Sequence, residues 1–353
     1  MASRWKRRPE GSTWGDFGED DQLGRLNLLT PDKVRQGMAE VREGLSFCLS
    51  MPLDFPGGAV LNPRRHPPRL SPTLQDGCPC LNFPLARLDA RNTDVLSDDQ
   101  VTLALQYSTQ WDSFAHVGAY FDVMGNGVRE KVYYNGYRAN EHVVGPRDYG
   151  PDGDGDGEGD VDVPGPHGAH ALSVANMARK AIQGRAVLVD LKKHFGLERH
   201  HVGYDDLMRV LDADGIAIAP GDMLVLRTGF TEVLVGMNRQ PDIDVLNRTA
   251  SVLDGRDDAL LQWITDSGVA AICADNYAVE GLPALETTLG QRPALPLHQH
   301  CLFKLGVPLA ELWWLAELAD WLQARGRSAF LLTAPPLYLP GAVGSPVTPV
   351  ATV

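Results

Sequence analysis

From residue 173 onward the apolar positions of this chain switch repeatedly between two periods. "SVANMARKAIQGR" has helical spacing and ends at Gly184, and "AVLVDL" (186–191) is a short apolar run of the kind buried strands show. The unit then recurs loosely. "YDDLMRVLDADG" predicts a helix with Gly215 just beyond it, and "GDMLVLRTG" (221–229) a strand bounded by glycines. "DALLQWITDSG" with "VAAICADN" (269–276), and "AELADWLQARG" with "SAFLLTAPP" (328–336), give a third and a fourth helix and strand. Helices alternating with apolar strands predict an α/β fold whose sheet carries helices on at least one face. The first hundred residues read differently: "LDFPGGAVLNPRRHPPRLSP" (53–72) is rich in Pro, Gly and Arg and predicts irregular surface chain that wraps or caps something else. From 101 a β-type run, "VTLALQY", leads into a polar motif, and the Asn-Gly of "REKVYYNGY" (129–137) signals a hairpin. A mixed sheet is therefore expected, with 1–100 as a wrapping segment and 101–353 as the main domain of one structural unit.

Composition narrows the function classes. The chain has 353 residues, 44% of them hydrophobic, with 32 Lys and Arg against 45 Asp and Glu, for a net charge of −13. That balance argues against nucleic acid and anionic membrane surfaces as partners. No apolar run follows the basic opening "MASRWKRRPEGSTWGDF", and no stretch reaches the length that crosses a bilayer. The five cysteines, an odd number in a large chain, fit a reducing cytoplasm better than a disulfide framework. "DGCPC" places Cys78 and Cys80 in a C-x-C spacing with no second pair, which reads as ordinary loop thiols rather than half a zinc knuckle. A homodimer or homotetramer is expected.

The segment 146–170 alternates acids with glycine, and Asp152, Asp154, Asp156 and Gly157 imitate the start of a calcium loop. The twelfth position, where a bidentate Glu belongs, is Val163, and no helical pattern leads in. A solvated loop is the first reading of 152–162, and a weak calcium site the alternative.

The densest chemistry lies in "QYSTQWDSFAH" (106–116). Equal parity along an extended chain points Gln106, Gln110 and Asp112 to one side, and His116 follows if the chain stays extended. Burying such groups costs several kcal/mol unless a hydrogen-bond network or a metal ion satisfies them. Six of the ten histidines fall in segments that read as exposed, whereas His298 and His300 begin the apolar "LPLHQHCLFKLGVPLAELWWL". Glu311 lies within that run, a costly place for a carboxylate that is neither beside a cation nor catalytic. Taken singly, each has a plain reading: tied amides, a turn Asp, core or rim histidines, a surface Glu on a helix from Pro308. Their joint occurrence is what points to a site.

These residues carry a family likeness. The stretch resembles the signature of the metal-dependent cyclase superfamily, which includes bacterial kynurenine formamidases and isatin hydrolase and whose usual motif is His-x-Gly-Thr-His-x-Asp-x-Pro-x-His. Gln106 and Gln110 stand where the first two histidines belong, Ser108 replaces Gly and Phe114 replaces Pro, while Thr109, Asp112 and His116 are kept. His298 and Glu311 resemble the later His and Glu, and "GRAVLVDL", "ADNYAVE" and the C-terminal "LTAPPLYLPGAVGSPVTPVA" look shared. The form "TQWDxxxH" is most similar to a longer branch that contains a zinc-dependent trans-dienelactone hydrolase.

The resemblance implies a swivelling β/β/α fold with a metal centre that activates water. Glutamine is a poorer ligand than imidazole, so one metal ion, Zn or Mn, is expected on Asp112, His116 and His298 with Gln110 as fourth contact. Glu311 is expected to carry the proton, with His298 also in the catalytic set. Gln106, Trp111, Phe114, Tyr120, Asn276 and Glu280 are the expected substrate contacts, three of them forming an aromatic wall. The implied reaction is hydrolysis of a small cyclic amide, lactone or ester. The alternatives are cyclisation or dehydration of a polyketide-like chain, or a degenerate binding protein.

Overall fold

The structure is a computed structural model that describes residues 3–145, 167–288 and 290–353. Its centre is a nine-stranded mixed sheet. In chain order the strands are β1 (Ser46–Cys48), β2 (Gln110–Asp112), β3 (Gln183–Asp190), β4 (Met223–Arg227), β5 (Ala271–Ala274), β6 (Leu309–Glu311), β7 (Ala329–Thr333), β8 (Gly344–Pro346) and β9 (Val350–Thr352). In space they run β1-β9-β7-β3-β4-β5-β6-β2-β8. The four central strands β3 to β6 are parallel, and every other pairing is antiparallel.

Side-chain alternation along these strands builds two cores. Leu224, Leu226, Ile272, Ala274 and Leu309 face one side, where α3 (Tyr204–Asp214) and α4 (Asp258–Ser267) add Leu207, Val210, Leu260 and Ile264. Met223, Val225, Ala271, Cys273 and Ala310 face the other, covered by Val174 and Met177 of α2 (Val174–Lys180) and Leu318 and Leu322 of α5 (Ala316–Gln323). Strands buried on both faces read as continuous apolar runs, which is why these were visible in the chain. On the second side, α1 (Pro31–Ala39) lies so close to β3 that a Cβ on Gly37 would stand 2.8 Å from the Gly184 carbonyl carbon.

Two local expectations change. "VTLALQY" does not enter the main sheet: Asp99–Thr102 pairs with Arg69–Pro72 in a separate two-stranded ribbon, and after β1 the chain returns to the sheet at Gln110. The hairpin turns at 122–129, between Ala119–Phe121 and Glu130–Val132, whereas Asn135 and Gly136 form a tight helical turn with Asn135 at φ 54°. The acidic segment 152–162 lies outside the described residues. Among the described residues no helix is long and apolar enough to cross a membrane.

Candidate metal centre

The register between β2 and β6 assembles the site. Gln110 pairs with Glu311, Trp111 with Ala310, and Asp112 with Leu309. Gln110, Asp112 and Glu311 therefore project from the face that carries Leu309, and Trp111 from the opposite one. His298 comes from the helical segment 296–305, which starts on a proline, continues in wide π-type turns from Gln299, and ends at Gly306 with φ 60°. One donor atom each from Asp112, His298 and Glu311 lies within 4.8 Å of the others.

Glu280 holds His298 in place. Its carboxylate accepts from the backbone N–H of Leu297 (3.0 Å) and His298 (2.9 Å) at the start of the helical segment, and from His298 Nδ1 (2.8 Å). Nε2 then points at Glu311 Oε1, 3.3 Å away. A carboxylate on the far nitrogen is the usual support of a metal-binding histidine. Gly255 leaves the room this needs, since a Cβ there would stand 2.4 Å from Glu280 Oε2. The loop that delivers Glu280 is strained, with Ala278 at φ 76° and Val279 at φ 57°, and the Glu280 N–H donates back to the Ala278 carbonyl. A β-branched residue at positive φ costs roughly 1–3 kcal/mol and persists only where the surroundings impose it.

Asp112 is fully buried, and neither carboxylate oxygen has a hydrogen-bond partner among the described residues. Burial pushes its pKa up, with Glu311 adding repulsion against the attraction of His116 and His298. At His298 burial works against the charge, but the bonds to Glu280 and Glu311 outweigh it and raise the imidazole to about 10. Burial would raise Glu311, yet the bond and charge of His298 and the charge of Arg65 hold it below its ordinary value. A divalent cation fits this set. It would satisfy the partnerless Asp112 oxygens and replace the proton on His298 Nε2, and an oxygen and nitrogen donor set without thiolate suits Zn or Mn.

The amide of Gln110 adds to that fit. In one orientation Nε2 donates to Glu311 Oε2 at 3.3 Å. In the reversed one it donates to the carbonyls of Gln106 (2.6 Å) and Ser108 (3.2 Å) and turns its oxygen toward Glu311. The reversed orientation makes two bonds instead of one long one. It leaves two oxygens face to face, which a cation between them makes favourable.

The other expected site residues divide. His116 follows a turn after β2, its N–H bonded to the Ser113 carbonyl; Nε2 lies 3.8 Å from Asp112 Oδ1 and the ring 6.4 Å from that of His298. It stands at the rim, 22% exposed, outside the three-residue cluster. Gln106 lies beyond the short strand, its amide packed over Gly344 of β8. The expected aromatic wall is not built by Trp111 or Phe114. Trp111 packs edge-on against Trp313 with its Nε1 on the Ala334 carbonyl, and Phe114 packs against Tyr134, both in the core. Tyr120 lines a separate large cavity with Arg129, Gln299 and Phe303. Asn276 is buried and donates to the carbonyls of Ser251 and Val279, so it braces the strained loop, and Glu280 is a support for His298 rather than a substrate contact. His300 bonds Thr265 and, being buried beside Lys304, is lowered to about 4. Two further residues near the site, Arg65 and Tyr277, lie in loops without periodic pattern and carried no signal beyond their residue type.

The family profile described as "Putative cyclase" matches residues 49–281. The chain belongs to this cyclase family. Among solved structures, one described as a novel cyclase is 28% identical, covers 97% of each chain and superposes with a TM-score of 0.71. Isatin hydrolase A from Labrenzia aggregata is 14% identical, with 91% of this chain and 98% of that one covered and a TM-score of 0.55. Isatin hydrolase A from Ralstonia solanacearum is also 14% identical, covering 91% and 97% with a TM-score of 0.53. A search of the curated proteins returns no match. The cyclase-family match includes the β2 motif and the Glu280 loop but ends before His298 and Glu311, which the fold brings in.

Proposed function

We propose that this cyclase-family protein is a metal-dependent hydrolase that opens a small cyclic amide, lactone or ester. The observation that carries the reading is the buried, partnerless carboxylate of Asp112 facing His298 and Glu311. Asp112, His298 and Glu311 hold one Zn or Mn ion, with the Gln110 oxygen as a further contact. When bound, such an ion supplies Lewis acidity that makes water nucleophilic near neutral pH and polarises a carbonyl.

The rest of the chemistry belongs to the chain. Glu280 keeps His298 in the tautomer with the proton on Nδ1, leaving Nε2 as a donor toward the ion. Glu311, committed to the cluster through Oε1, is poorly placed to shuttle a proton, whereas His116 stands at the rim within reach of incoming water. The roles expected for these two residues are therefore exchanged: Glu311 binds the ion, and His116 takes a proton from water and returns it to the leaving nitrogen or oxygen. The test is a screen of lactones, cyclic amides and N-formyl aromatics in ¹⁸O-labelled water. Label in the product identifies hydrolysis, and product without label contradicts it.

A further inference from the structure

Glu311 is the last residue of β6, and the bend that follows it is strained. Leu312 is buried and has φ 57°, a left-handed conformation that bulky residues rarely adopt. Continued in register, Leu312 would lie opposite Thr109 as Glu311 lies opposite Gln110. Instead the chain leaves β2 at this point and runs beside the segment that follows β1, where the Trp314 N–H donates to the Leu49 carbonyl at 2.9 Å.

Three contacts hold the bend. Thr109 Oγ1 donates to the Leu312 carbonyl at 2.6 Å and accepts from the Met51 N–H at 3.1 Å, so one buried hydroxyl ties the residue before β2 to the residue after Glu311. The Leu312 N–H donates to the Asn276 carbonyl at 3.1 Å, and its side chain belongs to the apolar cluster of Met51, Phe230 and Leu234. A left-handed leucine persists only where its surroundings impose it, and such strain concentrates beside groups that need a direction regular backbone would not give them. Rotation about φ of Leu312 re-aims the peptide that joins it to Glu311, and with it a carboxylate that has to meet His298 Nε2 at 3.3 Å. We propose that Thr109 is a positioning residue for the metal centre: its hydroxyl keeps Leu312 left-handed and so directs the Glu311 carboxylate toward Asp112 and His298. This rests on the reading above of Asp112, His298 and Glu311 as the ligands of one ion.

The test is Zn²⁺ affinity per folded chain, measured by competition with a chelating dye in wild type, Thr109→Val and Thr109→Ser. Valine keeps the shape and removes the donor, and serine keeps the donor. Thr109→Val should bind Zn²⁺ about tenfold or more weakly, the effect of losing an outer support of a metal ligand, and Thr109→Ser should restore most of the affinity. A role in stability alone would lower the denaturation midpoint and leave the affinity of the folded chain unchanged, and that result overturns the proposal. Equal losses in both variants overturn it as well. A second arm repeats Thr109→Val in a Leu312→Gly background, because glycine takes the left-handed conformation without strain. There the loss should shrink to less than about threefold, and a loss as large as in the parent contradicts the role given to Leu312. Should Leu312→Gly not fold, the valine and serine variants decide alone. Affinity that depends on Thr109 in a protein that opens no lactone or cyclic amide leaves the positioning role standing and removes the hydrolase reading. Hydrolysis with an affinity indifferent to Thr109→Val gives the reverse, and a wild type that binds no Zn²⁺ removes both.

Discussion

Two aspartates of this protein are buried to the same degree and live in opposite circumstances. Asp275, just past β5, accepts from the Thr228 N–H (2.7 Å), the Thr228 hydroxyl (2.6 Å) and the Gly229 N–H (2.8 Å). Asp112, at the end of β2, accepts from none of the described residues. A buried carboxylate serving structure is repaid by hydrogen bonds, and one left without them is a liability until something else satisfies it. The contrast separates a brace from a ligand without appeal to resemblance.

The largest expected effects lie at the two aspartates themselves. Asp112→Ala should abolish metal retention and reduce turnover by roughly 10³ or more, while leaving the chelated protein no less stable than the chelated parent. Loss of folding on that substitution would make Asp112 a second brace. Asp275→Ala should do the opposite, lowering stability by about 2–4 kcal/mol in chemical denaturation because the Thr228 and Gly229 donors lose their acceptor. Metal affinity per folded chain should be unchanged.

Weaker effects sharpen the division of roles inside the cluster. His116→Asn should keep its metal and lose about 10² in kcat, whereas Glu311→Gln should lose metal. Retained metal with a reduced kcat in Glu311→Gln would restore it as the proton carrier. Glu280→Gln should weaken metal binding by about 10- to 100-fold, read by competition with a chelating dye, since His298 loses its supporting carboxylate. The smallest effect is one of pH. Burial raises Asp275 to about 6 despite its hydrogen bonds. The folded state thus holds that proton more tightly than the unfolded one, and the stability it contributes is present below about pH 4 and lost as pH rises through about 6. Denaturation midpoints between pH 4 and 6 should show this slope in the parent and lose it in Asp275→Asn.

How much of this was legible in the chain follows the same division. Strands β3, β4, β5 and β7 and the helices between them were visible because both faces of the sheet are buried and glycines bound the runs. Parity placed Gln110 and Asp112 on one face, and the register with β6 agrees. The same parity carried no further, because β2 is only Gln110–Asp112 and leaves Gln106 and His116 outside it. Trp111 shares the motif but points into the core, since adjacent strand residues face opposite ways. Glu280 acts on His298 through a helix start distant in sequence; its signal was an acid in the otherwise apolar "NYAVEGL". Arg65 belongs to a proline-rich segment that the Tyr107 hydroxyl pins at Gly57 and Gly58, a contact no periodicity announces.

Asp112, His298 and Glu311 are proposed to hold one metal ion between them. The most direct test is elemental analysis of protein purified without chelator, wild type beside Asp112→Ala. Close to one Zn or Mn per chain is expected in the wild type and almost none in the variant. Two firmly held ions per wild-type chain, or equal metal in both proteins, would contradict this.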